Sequence, residues 1–180
     1  MRILIENGMI YDGSGSKPYN GDILIEDDRI AAIRLRDGSC TGGGTTGKGD
    51  DWNPDWIIYA DKRAVTPGFI DSHRHCDIAA VTDPDFGEVE LAQGLTTVLG
   101  GNCGMSPFPY AEGTGRQMLD FVEPCLGKAP SWMKFSGFPE YMAALEAAGP
   151  TIHVGQMIGT GAVVHWGFPG DHYLGGHDLA

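Results

Sequence analysis

Alternation of apolar and polar residues dominates the first 35 positions of the chain. Residues 2–13, "RILIENGMIYDG", place two alternating runs around Asn7-Gly8. Asn-Gly tolerates the positive φ angles of a tight turn, so this stretch predicts a β-hairpin. Residues 22–33, "DILIEDDRIAAI", place two more runs around Asp27-Asp28 and predict a second hairpin. Together they indicate a small antiparallel sheet.

Beyond residue 55 the pattern changes to short apolar runs separated by amphipathic stretches. Residues 36–55 are rich in Gly, Thr and Asp and predict a loop, as does the tail from His165 onward. The order strand, helix, strand, helix, strand predicts parallel strands with right-handed crossovers. The predicted strands are "GFID", "LTTVLGGNC" and "TIHVGQMIG", each expected to be buried, and the intervening helices are "DFGEVELAQG", "TGRQMLDFVEPCLG" and "GFPEYMAALEAAGP".

The last of these helices has the clearest signal. Phe138, Tyr141, Met142 and Leu145 fall at i, i+3, i+4 and i+7 and form one apolar face. A proline suits the first helical turn, and Gly149 is expected to end the helix. We therefore expect two regions: a β layer over residues 1–65 and an α/β region over residues 66–180.

Composition narrows the class of protein. The chain has 180 residues and a formal net charge of -12, which disfavours nucleic acid and anionic membrane surfaces as partners. No window approaches the ~20 apolar residues of a membrane-spanning helix. The four cysteines match neither a CxxC zinc site nor a small disulfide scaffold. Free thiols in the reducing cytoplasm are the expectation, and the oligomeric state is left open.

Candidate chemistry lies at the end of the "GFID" run, where His73 and His75 are one residue apart. On a strand, residues i and i+2 point to the same side, so the two imidazoles are expected to project together as ligands for zinc or a similar metal. Asp71 and Asp77 flank them as candidates to orient the ring N–H groups. The pair alone leaves two interpretations open, a metal site and an ordinary solvated polar pair.

Cys103 adds a third possible ligand. It follows the apolar run "LTTVL" and is expected at the carboxyl end of the neighbouring strand. Adjacent parallel strands lie about 4.8 Å apart, so its thiolate is within reach of a metal held by the two histidines. Taken alone, this cysteine favours the interpretation of a buried, inert thiol over that of a metal ligand.

These motifs together resemble a known family. "VTPGFIDSHRHCD" is similar to the PGFID-x-H-x-H motif of the amidohydrolase superfamily. "AQGLTTVLGGNCGMSP" resembles the QGxTTxxxGNCGxSP pattern of one branch, the D-aminoacylase (N-acyl-D-amino-acid deacylase) family. The N-terminal hairpins and "GFPEYMAALEAAGPTIHVGQMIGTGAV" are also similar to that family, so the resemblance covers nearly the whole chain.

The resemblance implies a fold, a reaction and a ligand set. The fold is the first three βα units of a (β/α)8 TIM-type barrel, preceded by a small N-terminal β-sandwich segment and truncated at residue 180. The reaction is metal-dependent hydrolysis of the amide bond of a small-molecule N-acyl-D-amino acid, with one or two zinc ions in the complete enzyme. His73, His75 and Cys103 match metal ligands. The general base, the remaining metal ligands and the substrate-carboxylate residues are implied to lie beyond residue 180, so the isolated chain is expected to be inactive.

Several positions depart from the family pattern. Arg74 stands where the family has a small residue or Thr, Cys76 where it has Asp, and Thr160 where it often has His. These departures leave the substrate branch open. Two alternatives also stay open: a cyclic amidohydrolase resembling dihydroorotase or hydantoinase, and a non-catalytic chain that binds a metal or a partner and ends at Ala180.

Overall fold

The structure, a computed structural model, describes residues 1–35, 40–41 and 52–167, and for residues 40–41 and 165–167 it describes the backbone only. Most of the loop predicted over residues 36–55, and the tail from residue 168, lie outside the described residues. The chain divides into two compact units, Met1–Pro67 and Gly68–Ala180. The prediction of a β-sandwich segment over residues 1–65 and a barrel portion over residues 66–180 stays a prediction.

The first unit is a β-sheet. The strands are β1 (Arg2–Ile10), β2 (Tyr19–Glu26), β3 (Arg29–Leu35), β4 (Cys40–Thr41), β5 (Trp56–Tyr59) and β6 (Ala64–Val65). The path of neighbouring strands runs β4-β3-β2-β1-β5, and β6 also pairs with β1. Each neighbouring pair among β1 to β4 is antiparallel, whereas β5 and β6 run parallel to β1.

One of the two predicted hairpins is wrong. β1 runs straight through Asn7-Gly8, and the register with β2 shifts between Ile5 and Gly8, which marks a β-bulge. Asn7 does adopt a positive φ of 57°. Its N–H donates to the Asp22 carboxylate at 2.8 Å, so the bulge is held by β2 and the chain does not reverse. The second hairpin is confirmed, with β2 and β3 antiparallel around Asp27-Asp28.

The second unit is an α/β arrangement around a three-stranded parallel sheet. Its elements are β7 (Phe69–Asp71), α1 (Ala79–Thr82), α2 (Glu88–Ala92), β8 (Leu95–Gly100), α3 (Gly115–Leu126), α4 (Phe138–Ala148), β9 (His153–Gln156) and α5 (Thr160–Gly167). The strand order is β7-β8-β9, with both pairs parallel. Helices lie between successive strands in the sequence, as the alternating pattern predicted.

Helix α4 anchors the core of this unit. Tyr141 and Leu145, two members of the predicted apolar face, are buried, and Met142 packs against the same core. The ring of Tyr141 lies 4.9 Å from that of Phe108, within the usual range for aromatic pairs. Gly149 follows the helix with φ 63° and ψ 53°, a left-handed conformation that suits glycine and ends the helix.

Two other expectations fail. β7 is parallel, as predicted, but it is not buried, because it lies at the edge of the sheet with Phe69 57% and Ile70 68% exposed. The tail from His165 was expected to be a loop, yet residues 165–167 complete α5. Within the described part of the chain, no helix is long and apolar enough to cross a membrane.

Candidate metal site

The two histidines lie in the segment that follows β7, not in the strand itself. β7 ends at Asp71, whose carboxylate accepts the backbone N–H of His73 at 3.1 Å. Such a side-chain bond to the backbone two residues on is a typical turn and competes with strand pairing. The prediction that strand periodicity aligns the rings is therefore wrong in detail. The turn still brings them together, with ring centroids of His73 and His75 5.5 Å apart.

The cysteine comes from the neighbouring strand. β8 ends at Gly100, and Cys103 lies in the 3₁₀ turn Asn102–Gly104 with a positive φ of 55°. Gly101 before it has a φ of 79°. A Cβ atom at Gly101 would lie 2.1 Å from the backbone oxygen of Met157, so only glycine fits there. This tight approach directs the cysteine turn over the end of β8.

The three predicted ligands converge. Potential donor atoms of His73, His75 and Cys103 all lie within 4.8 Å of one another, and Cys103 Sγ is 3.3 Å from His73 Nε2. His73 and Cys103 are exposed and His75 is partly buried, so the group is open on one side. An open coordination position beside three protein ligands is the arrangement of a catalytic zinc site.

The donor set fits zinc in chemistry, and the distance between the Cys103 and His73 donors fits zinc in spacing. Zinc lies about 2.0–2.1 Å from an imidazole nitrogen and about 2.3 Å from a thiolate, so tetrahedral geometry separates two such donors by about 3.5 Å. The sulfur–nitrogen distance of 3.3 Å between Cys103 and His73 is close to that value. In addition, His75 Nδ1 is buried without a hydrogen-bond partner among the described residues. Mixed nitrogen and sulfur donors suit zinc better than magnesium or calcium.

The two flanking carboxylates make different contacts from those predicted. Asp71 binds the backbone N–H of His73 and lies 3.9 Å from the Arg74 guanidinium. Asp77 is fully buried, and its Oδ1 accepts from the Gly101 N–H at 2.7 Å and from Gln156 Nε2 at 2.6 Å. These contacts are to backbone, Arg and Gln groups rather than to imidazole rings. Burial raises the pKa of Asp77, against the lowering effect of its hydrogen bonds.

Arg74, the residue between the histidines, is held away from the trio. Its guanidinium donates to the carboxylate of Glu90 on α2, and Glu90 is only 5% exposed. The backbone N–H of Arg74 donates to the Leu99 carbonyl at 3.1 Å, which ties the histidine segment to β8. The ion pair anchors the histidine segment to a helix, and the backbone hydrogen bond anchors it to a strand.

Cys76, the second departure from the family pattern, is a buried thiol at 3% exposure. Burial raises its pKa to about 12, so it stays protonated at neutral pH. Cys103 and Cys125 are exposed free cysteines. Outside the trio, the described part of the chain includes His153, an exposed residue at the start of β9. The side chains of His165, His172 and His177 lie outside the described residues.

Sequence reasoning missed the residues that support the trio. Asn102, Gln156 and Tyr141 all contact the segments carrying the ligands. Asn102 lies next to Cys103, and a polar residue within this apolar stretch was a sequence signal that could have identified it as a supporting residue. Gln156 was not distinguishable, because its partner Asp77 is 79 residues away in the sequence.

Comparison with known proteins points to one group of enzymes. No protein-family model matches the chain. The chain is 35% identical over 159 residues to N-acyl-D-glutamate deacylase of Alcaligenes xylosoxydans xylosoxydans. The matched region covers 87% of this chain and 28% of that protein.

Two solved structures are similar over 93% of this chain and 31% of theirs. One is N-acyl-D-glutamate deacylase from Bordetella bronchiseptica, complexed with zinc and a phosphonate inhibitor that mimics the tetrahedral intermediate of its reaction, with a TM-score of 0.72 and 31% identity. The other is a D-aminoacylase with a binuclear metal centre, with a TM-score of 0.71 and 28% identity. The present chain thus spans less than a third of the length of each of these proteins.

Proposed function

Because the chain belongs to the D-aminoacylase family of amidohydrolases, we propose that it forms part of a metal-dependent hydrolase that cleaves the amide bond of N-acyl-D-amino acids. The observation that carries this proposal is the convergence of His73, His75 and Cys103 at the ends of two adjacent parallel strands. Nitrogen and sulfur donors from separate elements are held there, and the distance between the Cys103 sulfur and the His73 nitrogen suits zinc.

The chain's own residues would bind the metal and leave one side of it open. His73 and Cys103 provide exposed donors, and His75 provides a partly buried one. A bound divalent metal supplies Lewis-acid activation of water and of the amide carbonyl. We assign no general base, because Asp71 and Asp77, which flank the trio, are engaged by backbone N–H groups and by Arg74 and Gln156.

We further propose that the parallel sheet is the first part of a (β/α)8 barrel. Its three strands alternate with helices along the chain, and the candidate ligands follow the carboxyl ends of strands, where barrel enzymes place their sites. Phe69 and Ile70 on β7 are apolar and exposed, whereas strands of parallel sheets are normally covered on both faces. Further strands and helices would provide that cover. We also propose that the protein works in the cytoplasm.

Metal binding is testable by protection of thiols. We expect zinc to slow alkylation of Cys103, while Cys125, also exposed, serves as the matched control. Site-resolved mass spectrometry after brief iodoacetamide treatment measures both rates in one sample. His73→Ala and His75→Ala should each abolish the protection. Equal zinc effects at Cys103 and Cys125 would refute a metal site at the trio.

Hydrolysis is tested with N-acetyl-D-glutamate and its L-enantiomer, with zinc added and the released amino acid measured. In a protein that carries this chain together with the further strands and helices proposed above, we expect release from the D-enantiomer, lost in Cys103→Ala but retained in Cys125→Ala. The 180-residue chain alone should release no amino acid. Zinc binding at the trio of the longer protein without hydrolysis would favour a non-catalytic metal-binding role. Hydrolysis that Cys103→Ala leaves intact would exclude the trio as its source.

A further inference from the structure

We infer that Asn102 and Asp77 are positioning residues that join the histidine segment to the cysteine turn and so set the spacing of the three donor atoms. The inference rests on the proposed function, since it concerns the same trio. The two residues, called here the loop clamp, come from opposite sides of the site: Asn102 precedes Cys103, and Asp77 follows His75 by two positions. Asn102, beside Cys103, bonds to the histidine segment, and Asp77, close to His75, bonds to the cysteine turn.

Asn102 makes the first link. Its side chain is almost fully buried, at 8% exposure. Its Nδ2 donates to the Leu99 carbonyl at 2.7 Å and, in a longer contact, to the Arg74 carbonyl at 3.4 Å. Arg74 lies between the two histidines, so a residue adjacent to Cys103 is bonded to the middle of the histidine segment.

Asp77 makes the reciprocal link. Its Oδ1 accepts the N–H of Gly101, two residues before Cys103. The same oxygen accepts Gln156 Nε2 from the end of β9, and the backbone carbonyl of Asp77 accepts the Tyr141 hydroxyl at 2.9 Å. One buried carboxylate therefore ties the segment that follows β7 to the turn after β8 and to the end of β9.

The clamp matters because two of the three ligands are otherwise weakly held. Cys103 and His73 are exposed, and Cys103 has a left-handed backbone conformation that costs energy for a non-glycine residue. Metal sites tolerate only about 0.2 Å of error in ligand distance. Residues that orient ligands without touching the metal typically change its affinity about 10–100-fold when they are replaced.

The geometry also separates a hydrogen-bonding role from a charge role for Asp77. Asp77→Asn keeps an acceptor oxygen for the Gly101 N–H, whereas Asp77→Ala removes it. If Asp77 acts by positioning, Asp77→Asn should keep a metal affinity close to that of the unchanged chain, whereas Asp77→Ala should lose affinity. Equal losses in the two variants would refute positioning by this hydrogen bond.

The test is titration of the full chain with Co²⁺, followed by the thiolate-to-cobalt charge-transfer absorption that reports the Cys103–metal bond. We expect Asn102→Ala to weaken Co²⁺ binding about 10–100-fold and to reduce the charge-transfer band at saturation, with an unchanged far-UV circular dichroism spectrum. Thr151→Val is the control, since it removes one hydrogen bond, to the Phe86 carbonyl, within the same unit. It should bind Co²⁺ as the unchanged chain does.

The outcomes distinguish the two proposals. Absence of the charge-transfer band in the unchanged chain refutes the proposed metal site. If the unchanged chain shows the band, and the Co²⁺ affinity of Asn102→Ala is within twofold of that of Thr151→Val, only the loop clamp is refuted. If Asn102→Ala loses its circular dichroism signal, Asn102→Asp, which keeps the shape but lacks the N–H donor, is measured in its place with the same expected loss and the same refuting result.

Discussion

Replacement of Gly101 by alanine is expected to be among the most damaging single-methyl additions in the second unit. Gly101 has φ 79° and ψ 18°, and a Cβ atom there would lie 2.1 Å from the Met157 oxygen, 2.7 Å from its carbonyl carbon and 2.9 Å from its Cα. All three atoms belong to the backbone. No side chain can rotate away, so the end of β8 and the chain after β9 must separate.

The expected cost has two parts. A left-handed conformation costs a residue with a Cβ about 1–2 kcal/mol relative to glycine. Relieving the contact to an ordinary separation of about 3.4 Å requires a backbone shift of about 1 Å, and overpacking of this kind costs about 1–3 kcal/mol. The sum is about 2–5 kcal/mol. The shift also displaces the N–H that donates to Asp77.

Gly149 provides a matched control. It is also left-handed, with φ 63° and ψ 53°, but a Cβ there meets nothing within 4 Å. Gly149→Ala should therefore lose only the conformational part, about 1–2 kcal/mol. Urea unfolding followed by circular dichroism gives both free energies of unfolding. If the two variants lose equal stability, the close approach of Gly101 to Met157 is not a constraint in the folded protein, and the reasoning fails.

Two further predictions concern the contacts around the site. Tyr141→Phe should destabilise the chain by about 1–2 kcal/mol, measured by urea unfolding, because it leaves a buried backbone carbonyl without its donor; a loss below 0.3 kcal/mol would contradict this. A double-mutant cycle with Arg74→Ala and Glu90→Leu should give a coupling free energy of about 1–3 kcal/mol, since Glu90 is buried. The exposed pair Arg116–Asp120 should give only about 0.3–0.5 kcal/mol, and equal couplings for the two pairs would count against the role of burial.

Local patterns determined much of the second unit. Strand β8 and helix α4 were predicted because apolar periodicity and glycine or proline punctuation are properties of a single segment. The convergence of the histidine pair and Cys103 was also predicted, because each follows a strand and neighbouring parallel strands end at the same edge.

The N-terminal error shows the limit of such patterns. Asn7-Gly8 was correctly associated with a positive φ, but a positive φ serves a hairpin turn and a β-bulge equally well. The choice depended on the partner strand, since Asp22 on β2 accepts the Asn7 N–H. Similarly, "GFID" was correctly predicted as a parallel strand, yet its burial depends on what covers it, which a single segment does not encode.

The sequence by itself thus determined which residue types could hold a metal and which strand ends they follow. The tertiary structure decided how those elements are held together. Asp77 bonds to Gly101 and to Gln156, residues 24 and 79 positions away, and neither partner carries a periodic signal of its own. Periodicity records which face of a segment is buried, whereas a hydrogen bond between distant loops forms only after folding has placed the donor and the acceptor within reach.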